Sequence, residues 1–329
     1  MQSLIKCLAL VLTLNSCSEI ESITPESPRE TPVVQSESTY SVVVEEDIIY
    51  AEGLSHQTWN SNSSIAIPLK LDVYTPGNSN ENRPAFMFIH GGGFFGGSKR
   101  QSQIIDLANY YTSRGWVFIS IDYRVKDDFG TIPSEWLDYS DILPDELVDQ
   151  FLAIYPAQRD AKAALRWVIA NANTYNINTD YITVGGGSAG AITAITLGIS
   201  NQEDFRDEIE SAIDPTILAT NLDQTYKIQT IVDFWGSKVA LDGLQGAYGH
   251  QRFDSNDPSL FIAHGTEDPT VPFSNAEELK EIYEATGVPL AYYPIEGAGH
   301  GPWNATVNGE RLDKLAFDFI TEQQALTVE

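Results

Sequence analysis

Two short, almost unbroken apolar runs constrain this chain more than any other feature: residues 85–89 (AFMFI) and 116–122 (WVFISID). A strand that is apolar at nearly every position has no face to give to water. It must be covered on both sides, as a central strand of a parallel sheet is. Shorter runs at 181–184, 228–235, 260–263 and 290–294 continue the series, and 41–50 and 67–74 open it. Helical patterns lie between them. Ile104, Leu107, Ala108 and Tyr111 recur at helical spacing, and Ala161, Ala164, Leu165 and Val168 mark a helix over 160–171. Ser274 is placed to cap a helix over 276–285, with Glu277 and Glu278 in its first turn, and 312–323 supplies a last helix. Alternation of this kind predicts an α/β fold, an eight-stranded and mostly parallel sheet with helices on both faces. Such a sheet carries its functional loops at the carboxyl ends of its strands.

Two glycine-rich segments fall at those ends. Residues 181–190 (YITVGGGSAG) run from a strand through G-x-S-x-G into a helix that begins near Ala191. A strand-to-helix turn that tight leaves no room for side chains beside the serine, and Gly186 and Gly190 relieve the crowding. The turn lifts Ser188 to the top of the sheet and aims a helix N-terminus at it, where negative charge is favoured. Residues 90–93 (HGGG) follow the apolar run 85–89 directly. Glycines there let backbone N–H groups approach a reacting oxygen closely, and held N–H groups stabilise an oxyanion without reorganising.

Taken together, the HGGG loop and the Ser188 turn strongly resemble the carboxylesterases of the α/β-hydrolase fold. The resemblance runs over about residues 40–325 and includes 70–76 (KLDVYTP), similar to the family's second strand. It implies that the N–H groups of Gly92, Gly93 and Ala189 form the oxyanion hole. Serine cannot attack unaided, so a histidine base held by a carboxylate is required. Residues 264–272 (HGTEDPTVP) resemble the family's acid segment, which makes Asp268 the carboxylate. Residues 296–301 (EGAGHG) are similar to its histidine loop, which makes His300 the base. The order Ser188, Asp268, His300 is the order this fold uses. Of the other four histidines, His90 belongs to the glycine loop and His264 to the acid segment, while His56 precedes the core and His250 sits in an irregular stretch. Asp233 is a competing acid, because some related hydrolases take theirs from the end of that earlier strand.

The chain carries 46 acidic against 19 basic residues, a net charge of −27, which disfavours nucleic acid and anionic lipid surfaces as partners. Cys7 and Cys17 are its only cysteines, so the body has neither a disulfide nor a thiol nucleophile. The proposed chemistry needs no cofactor and no metal. Asp254 and Asp257 read as a turn rather than a calcium site.

Residues 1–16 read as an export signal: Lys6 precedes an apolar stretch too short to span a bilayer. Residues 14–17 (LNSC) resemble a bacterial lipobox with Cys17 as the lipidated residue, which implies an exported lipoprotein attached to a membrane by that anchor alone. The other reading is a plain secretory signal. Residues 17–39, rich in Ser, Glu, Pro and Thr, are expected to be a linker, and 40–329 the catalytic domain.

A long acidic and aromatic insertion over 126–157, with Trp136, Tyr139, Phe151 and Tyr155, either lines the pocket or packs as a surface excursion. Residues 201–227 are a further candidate wall. The functional expectation is hydrolysis of carboxylic esters, acetyl or feruloyl esters of polysaccharides or small acyl esters. A serine peptidase of the same fold and a non-catalytic binding module are the alternatives.

Overall fold

The structure, a computed structural model, describes residues 30–78 and 80–329. The expected signal over 1–16 and the lipidation site at Cys17 lie outside the described residues. Eight strands form the main sheet: β1 (Val42–His56), β2 (Ser64–Pro76), β3 (Arg83–Ile89), β4 (Val117–Ile121), β5 (Ile177–Gly187), β6 (Thr230–Phe234), β7 (Ser259–Gly265) and β8 (Leu290–Ile295). Their spatial order is β1-β2-β4-β3-β5-β6-β7-β8. The β1–β2 and β2–β4 pairs are antiparallel and all the others parallel. This is the mostly parallel sheet that the apolar runs predict.

Period-two alternation sorts the central strands between two cores. Ala85, Met87 and Ile89 of β3 join Val117, Ile119 and Ile121 of β4 on one face, while Phe86, Phe88 and Phe118 point to the other. Helices α1 (Ser102–Thr112) and α7 (Leu312–Gln323) cover the aromatic face. The opposite face is covered by α3 (Asp145–Ala170), α4 (Ala189–Ile199), α5 (Val239–Tyr248) and α6 (Ser274–Thr286), with the short α2 (Ser134–Ser140) beside them.

Three expectations need correction. Residues 31–39, expected to belong to the linker, group with the body that runs to Glu329. Val33–Val34 pairs in parallel with Thr327–Val328, and Val34 is fully buried against the α1 and α7 face. The buried Val34 and backbone bonds from Gln35, Ser36, Thr39 and Tyr40 to Arg114, Glu329 and Ser113 hold the segment there.

Helix α3 starts at Asp145 rather than near 160 and runs through Pro156. Proline lacks the N–H that an interior position donates, so it marks a helix end when only the sequence is read. Here its ring fills the space over Gly130, whose Cβ, if present, would lie 2.5 Å from Pro156 Cβ. One turn further on, the buried Asp160 accepts from both the backbone N–H (2.9 Å) and the guanidinium (2.6 Å) of Arg124.

Ser274 does not cap α6. It is the first helical residue, Phe273 takes the cap position, and no side chain bonds the cap.

Candidate functional site

The turn after β5 supplies the first component. Ser188 adopts φ 55° and ψ −122°, a strained region for a residue with a side chain. Neighbouring glycines allow it. A Cβ on Gly190 would stand 2.0 Å from the Ile89 carbonyl oxygen, and one on Gly186 would stand 2.2 Å from the Gly190 carbonyl carbon. The Ser188 N–H donates to the Phe234 carbonyl (2.9 Å), which ties the turn to the end of β6. Helix α4 begins at the next residue, so the Ala189 N–H belongs to a first turn whose donors have no partner within the helix.

The acid and the imidazole arrive from two later loops. Gly265 ends β7, and a Cβ there would lie 2.4 Å from the carbonyl oxygens of both Ala298 and Gly299. That close approach lets residues 296–301 lie on the turn after β7, fastened by Glu267 N–H to the Ala298 carbonyl (2.9 Å) and Gly297 N–H to Thr266 Oγ1 (2.9 Å). His300 Nδ1 then donates to Asp268 Oδ2 at 2.7 Å, and Ser188 Oγ donates to His300 Nε2 at 2.9 Å. Asp268 Oδ1 accepts the N–H groups of Thr270 (2.8 Å) and Val271 (3.0 Å). Burial pushes the Asp268 pKa up, but the bonds from His300, Val271 and Thr270 outweigh it and bring the pKa below the ordinary carboxylate value. A carboxylate held ionised against Nδ1–H fixes the imidazole so that Nε2 faces the serine.

Asp233, the competing acid, lies elsewhere in the hydrogen-bond pattern. Its Oδ1 accepts the Gly236 N–H (2.6 Å), its Oδ2 is buried without a partner, and burial pushes its pKa up to about 7. His264 Nε2 donates to the Val271 carbonyl (2.8 Å), inside the acid segment and 3.4 Å from Asp268. His56 bonds the Ser61 carbonyl and Thr131, and His250 sits beside Arg252 and Asp204. The Asp254–Asp257 segment is a turn, with Asp254 N–H bonded to Asp257 (2.9 Å) and Asn256 N–H bonded to Asp254 (2.6 Å).

The glycine loop lies against the serine turn. A Cβ on Gly91 would meet Ser188 Cβ at 3.3 Å and the Gly187 carbonyl oxygen at 2.7 Å. Gly92 (φ 138°) and Gly93 (φ 63°) have the positive φ that glycine tolerates. Each of their N–H groups shares a rigid peptide plane with the preceding carbonyl, so a bond to that carbonyl aims the N–H. His90 Nδ1 donates to the Gly91 carbonyl (2.8 Å), and the Phe95 N–H donates to the Gly92 carbonyl (3.0 Å). His90 is itself stacked on Tyr123 at 4.3 Å, and Tyr123 Oη donates to the His90 carbonyl (2.9 Å). Burial lowers the His90 pKa, consistent with a neutral ring carrying its proton on Nδ1.

Sequence reasoning missed several residues around this centre. The buried Lys99 closes the glycine loop, with its Nζ at 2.8 Å from Asp47 and 3.1 Å from Asp122, and its N–H at 2.7 Å from Asp122. Trp303 packs on the serine turn, since a Cβ on Gly187 would lie 3.1 Å from its ring, and Trp235 meets it edge-on at 4.9 Å. Trp303 follows His300 by three residues, a signal that was available in the sequence.

A cavity of about 370 Å³ is bordered by neighbours of the site residues, among them Phe94, Ile192, Thr270 and Val271, though not by Ser188, Asp268 or His300 themselves. Phe94 of the glycine loop, Ile192 of α4 and Val271 of the acid segment form its inner wall. Tyr139, Leu143, Leu147, Gln150, Phe151 and Ile154 form the other, so part of the insertion over 126–157 lines this cavity, while its Trp136 and Tyr155 are buried against the body. Residues 201–227 do not reach this cavity. Residues 201–203 and 226–227 border a separate polar hollow of about 490 Å³, together with the C-terminal end of α4.

Comparison with known proteins bears on the fold and the family. The chain is 25% identical over 236 residues to Esterase LipC of Mycobacterium tuberculosis, covering 66% of this chain and 53% of that protein. It is 25% identical over 261 residues to Esterase LipQ of the same organism, covering 72% and 55%. The chain thus spans about half the length of the curated relatives it matches. Among solved structures, a truncated carbohydrate esterase from gut microbiota matches with a TM-score of 0.56 at 21% identity, over 90% of this chain and 100% of that one. Thermogutta terrifontis esterase 2, phosphorylated by paraoxon, matches with a TM-score of 0.56 at 23% identity, over 84% and 95%. Both establish the α/β-hydrolase fold. The BD-FAE family model matches residues 71–142 and 150–252, more than half of the chain. The chain belongs to the BD-FAE family of α/β-hydrolase esterases.

Proposed function

We propose that this chain is a serine carboxylesterase that works through an acyl-enzyme, with Ser188 as nucleophile, His300 as base and Asp268 as the carboxylate that orients it. The observation that carries the reading is the continuous relay from Ser188 Oγ through His300 to Asp268, at 2.9 and 2.7 Å. Ser188 attacks the ester carbonyl as its proton passes to His300 Nε2. The N–H groups of Gly92, Gly93 and Ala189 receive the oxyanion, a contribution of a few kcal/mol for each donor. Imidazolium, held by Asp268, then protonates the leaving alcohol. Water deprotonated by His300 attacks the acyl-enzyme, and the acid leaves with Ser188 restored.

The apolar cavity supports a substrate whose acyl group is larger than acetyl, a feruloyl group on a polysaccharide or the chain of a small acyl ester. Its size falls in the range of ordinary small-molecule sites. Residues 1–16 are proposed to export the chain, and Cys17 to carry a lipid that holds it at a membrane. The LNSC segment and the apolar stretch before it support that placement.

A panel of p-nitrophenyl esters, with acetylated xylan and feruloylated oligosaccharides, tests the function. Hydrolysis with a preference for feruloyl or C4 and longer acyl groups is the expected result. Cleavage of peptides with no ester turned over would replace this reading by the peptidase one.

A further inference from the structure

The insertion that lines the cavity also holds the glycine loop, and one side chain does both. Gln150, on the second turn of α3, donates from Nε2 to the Gly93 carbonyl at 3.0 Å and forms part of the cavity wall. A Cβ on Gly93 would stand in ordinary contact with Phe95 Cδ2 at 3.4 Å and Gln150 Nε2 at 3.5 Å, which places the Gln150 amide directly against this glycine. Two further bonds tie the same stretches together. The Lys126 N–H, at the start of the insertion, donates to the Phe94 carbonyl (2.7 Å), and Lys126 Nζ pairs with Asp149 (2.9 Å), the residue before Gln150. Trp59 Nε1 fixes Asp149 from the other side (3.1 Å). Gly93 is therefore gripped through both of its peptide planes. The Phe95 N–H holds the carbonyl before it, and Gln150 holds its own.

We infer that Gln150 is a positioning residue for the oxyanion hole, and that it links the group filling the apolar cavity to the placement of the Gly93 N–H. The inference rests on the esterase reading. A group seated against Leu147, Phe151 and Gln150 packs the first turns of α3 and steadies the Gln150 amide on the Gly93 carbonyl. A substrate too small to fill the cavity leaves that amide less constrained. The Gly93 carbonyl shares its peptide plane with the Phe94 N–H, so the Gln150 bond acts on the Gly93 N–H through the φ and ψ of Gly93, which a glycine at positive φ restrains little. An N–H displaced from the developing oxyanion lowers turnover without weakening ground-state binding.

The test compares the full chain with Gln150→Met, which keeps the volume and loses the donor, and Gln150→Lys, which restores a donor. Each is assayed on p-nitrophenyl acetate and butyrate, with amide hydrogen exchange followed over residues 91–98. Gln150→Met is expected to lower kcat on butyrate by about tenfold or more with KM within twofold. Its loss on acetate should be smaller. Exchange over 91–98 should accelerate with Tm unchanged, and Gln150→Lys should recover part of kcat. Unchanged kcat and exchange in Gln150→Met would overturn the inference, as would a fall on both esters by the same factor that Gln150→Lys does not relieve. If the parent chain hydrolyses no ester, the esterase reading fails, and the exchange result alone then decides whether Gln150 holds the loop.

Discussion

His300 Nδ1 lies 2.7 Å from Asp268 Oδ2, although the two residues come from different loops after β7 and β8. Gly265 makes that meeting sterically open, since any larger residue would push the histidine loop off the end of β7. The bond also separates Asp268 from Asp233. The first holds its carboxylate ionised beside the imidazole, and the second is buried at the end of β6 with one oxygen unpartnered.

Asp268→Asn is expected to lower kcat on the order of 10⁴-fold, because an amide at that position no longer selects the tautomer that presents Nε2 to Ser188. Asp233→Asn should leave kcat within a few-fold. Steady-state kinetics of the two variants on one ester reads the contrast.

Asp233 also gives a pH signature in stability. Burial raises its pKa from 3.8 to about 7 in the folded chain. Folding therefore favours the protonated acid. That contribution is full below the unfolded pKa and is lost as pH rises through the folded value, near 7. Asn at this position carries no charge at any pH, so Asp233→Asn should match the parent near pH 4 and exceed it at pH 8 by an amount on the order of a few kcal/mol. Denaturant melts at both pH values measure the difference.

Gly190→Ala should abolish activity, because a Cβ 2.0 Å from the Ile89 carbonyl oxygen forces the β5–α4 turn away from β3. The displacement moves Ser188 Oγ off His300 Nε2. Activity assays paired with circular dichroism separate loss of the turn from loss of the fold.

Leu143→Trp adds bulk at the wall that the insertion contributes to the cavity. Discrimination should move toward short acyl groups, with kcat/KM on butyrate falling roughly tenfold more than on acetate, about the scale that pocket shape gives per small apolar group. Competition between the two esters in one vessel checks the ratio.

The sheet was legible because strands buried on both faces must be almost wholly apolar, as 85–89 is and as 116–121 is apart from Ser120. Ser188 and the glycine loop were legible because tight turns demand glycine at fixed offsets. The first half of helix α3 was not, because Pro156 breaks the local pattern and only the packing of its ring on Gly130 and the Arg124–Asp160 pair show why the helix predicted over 160–171 extends back to Asp145. Gln150 and Lys99 were invisible for a related reason: their partners, the Gly93 carbonyl and Asp47, are set by tertiary contact, not by spacing along the chain. Val33 and Val34 were hidden within a polar composition that outweighed two valines.

The most direct test of Ser188 as nucleophile is stoichiometric labelling with an organophosphate such as paraoxon, read by peptide mass spectrometry alongside loss of ester hydrolysis. One adduct on Ser188, forming as activity falls and absent from Ser188→Ala, is the result expected. An adduct on another residue, or full inactivation with Ser188 unmodified, would contradict it.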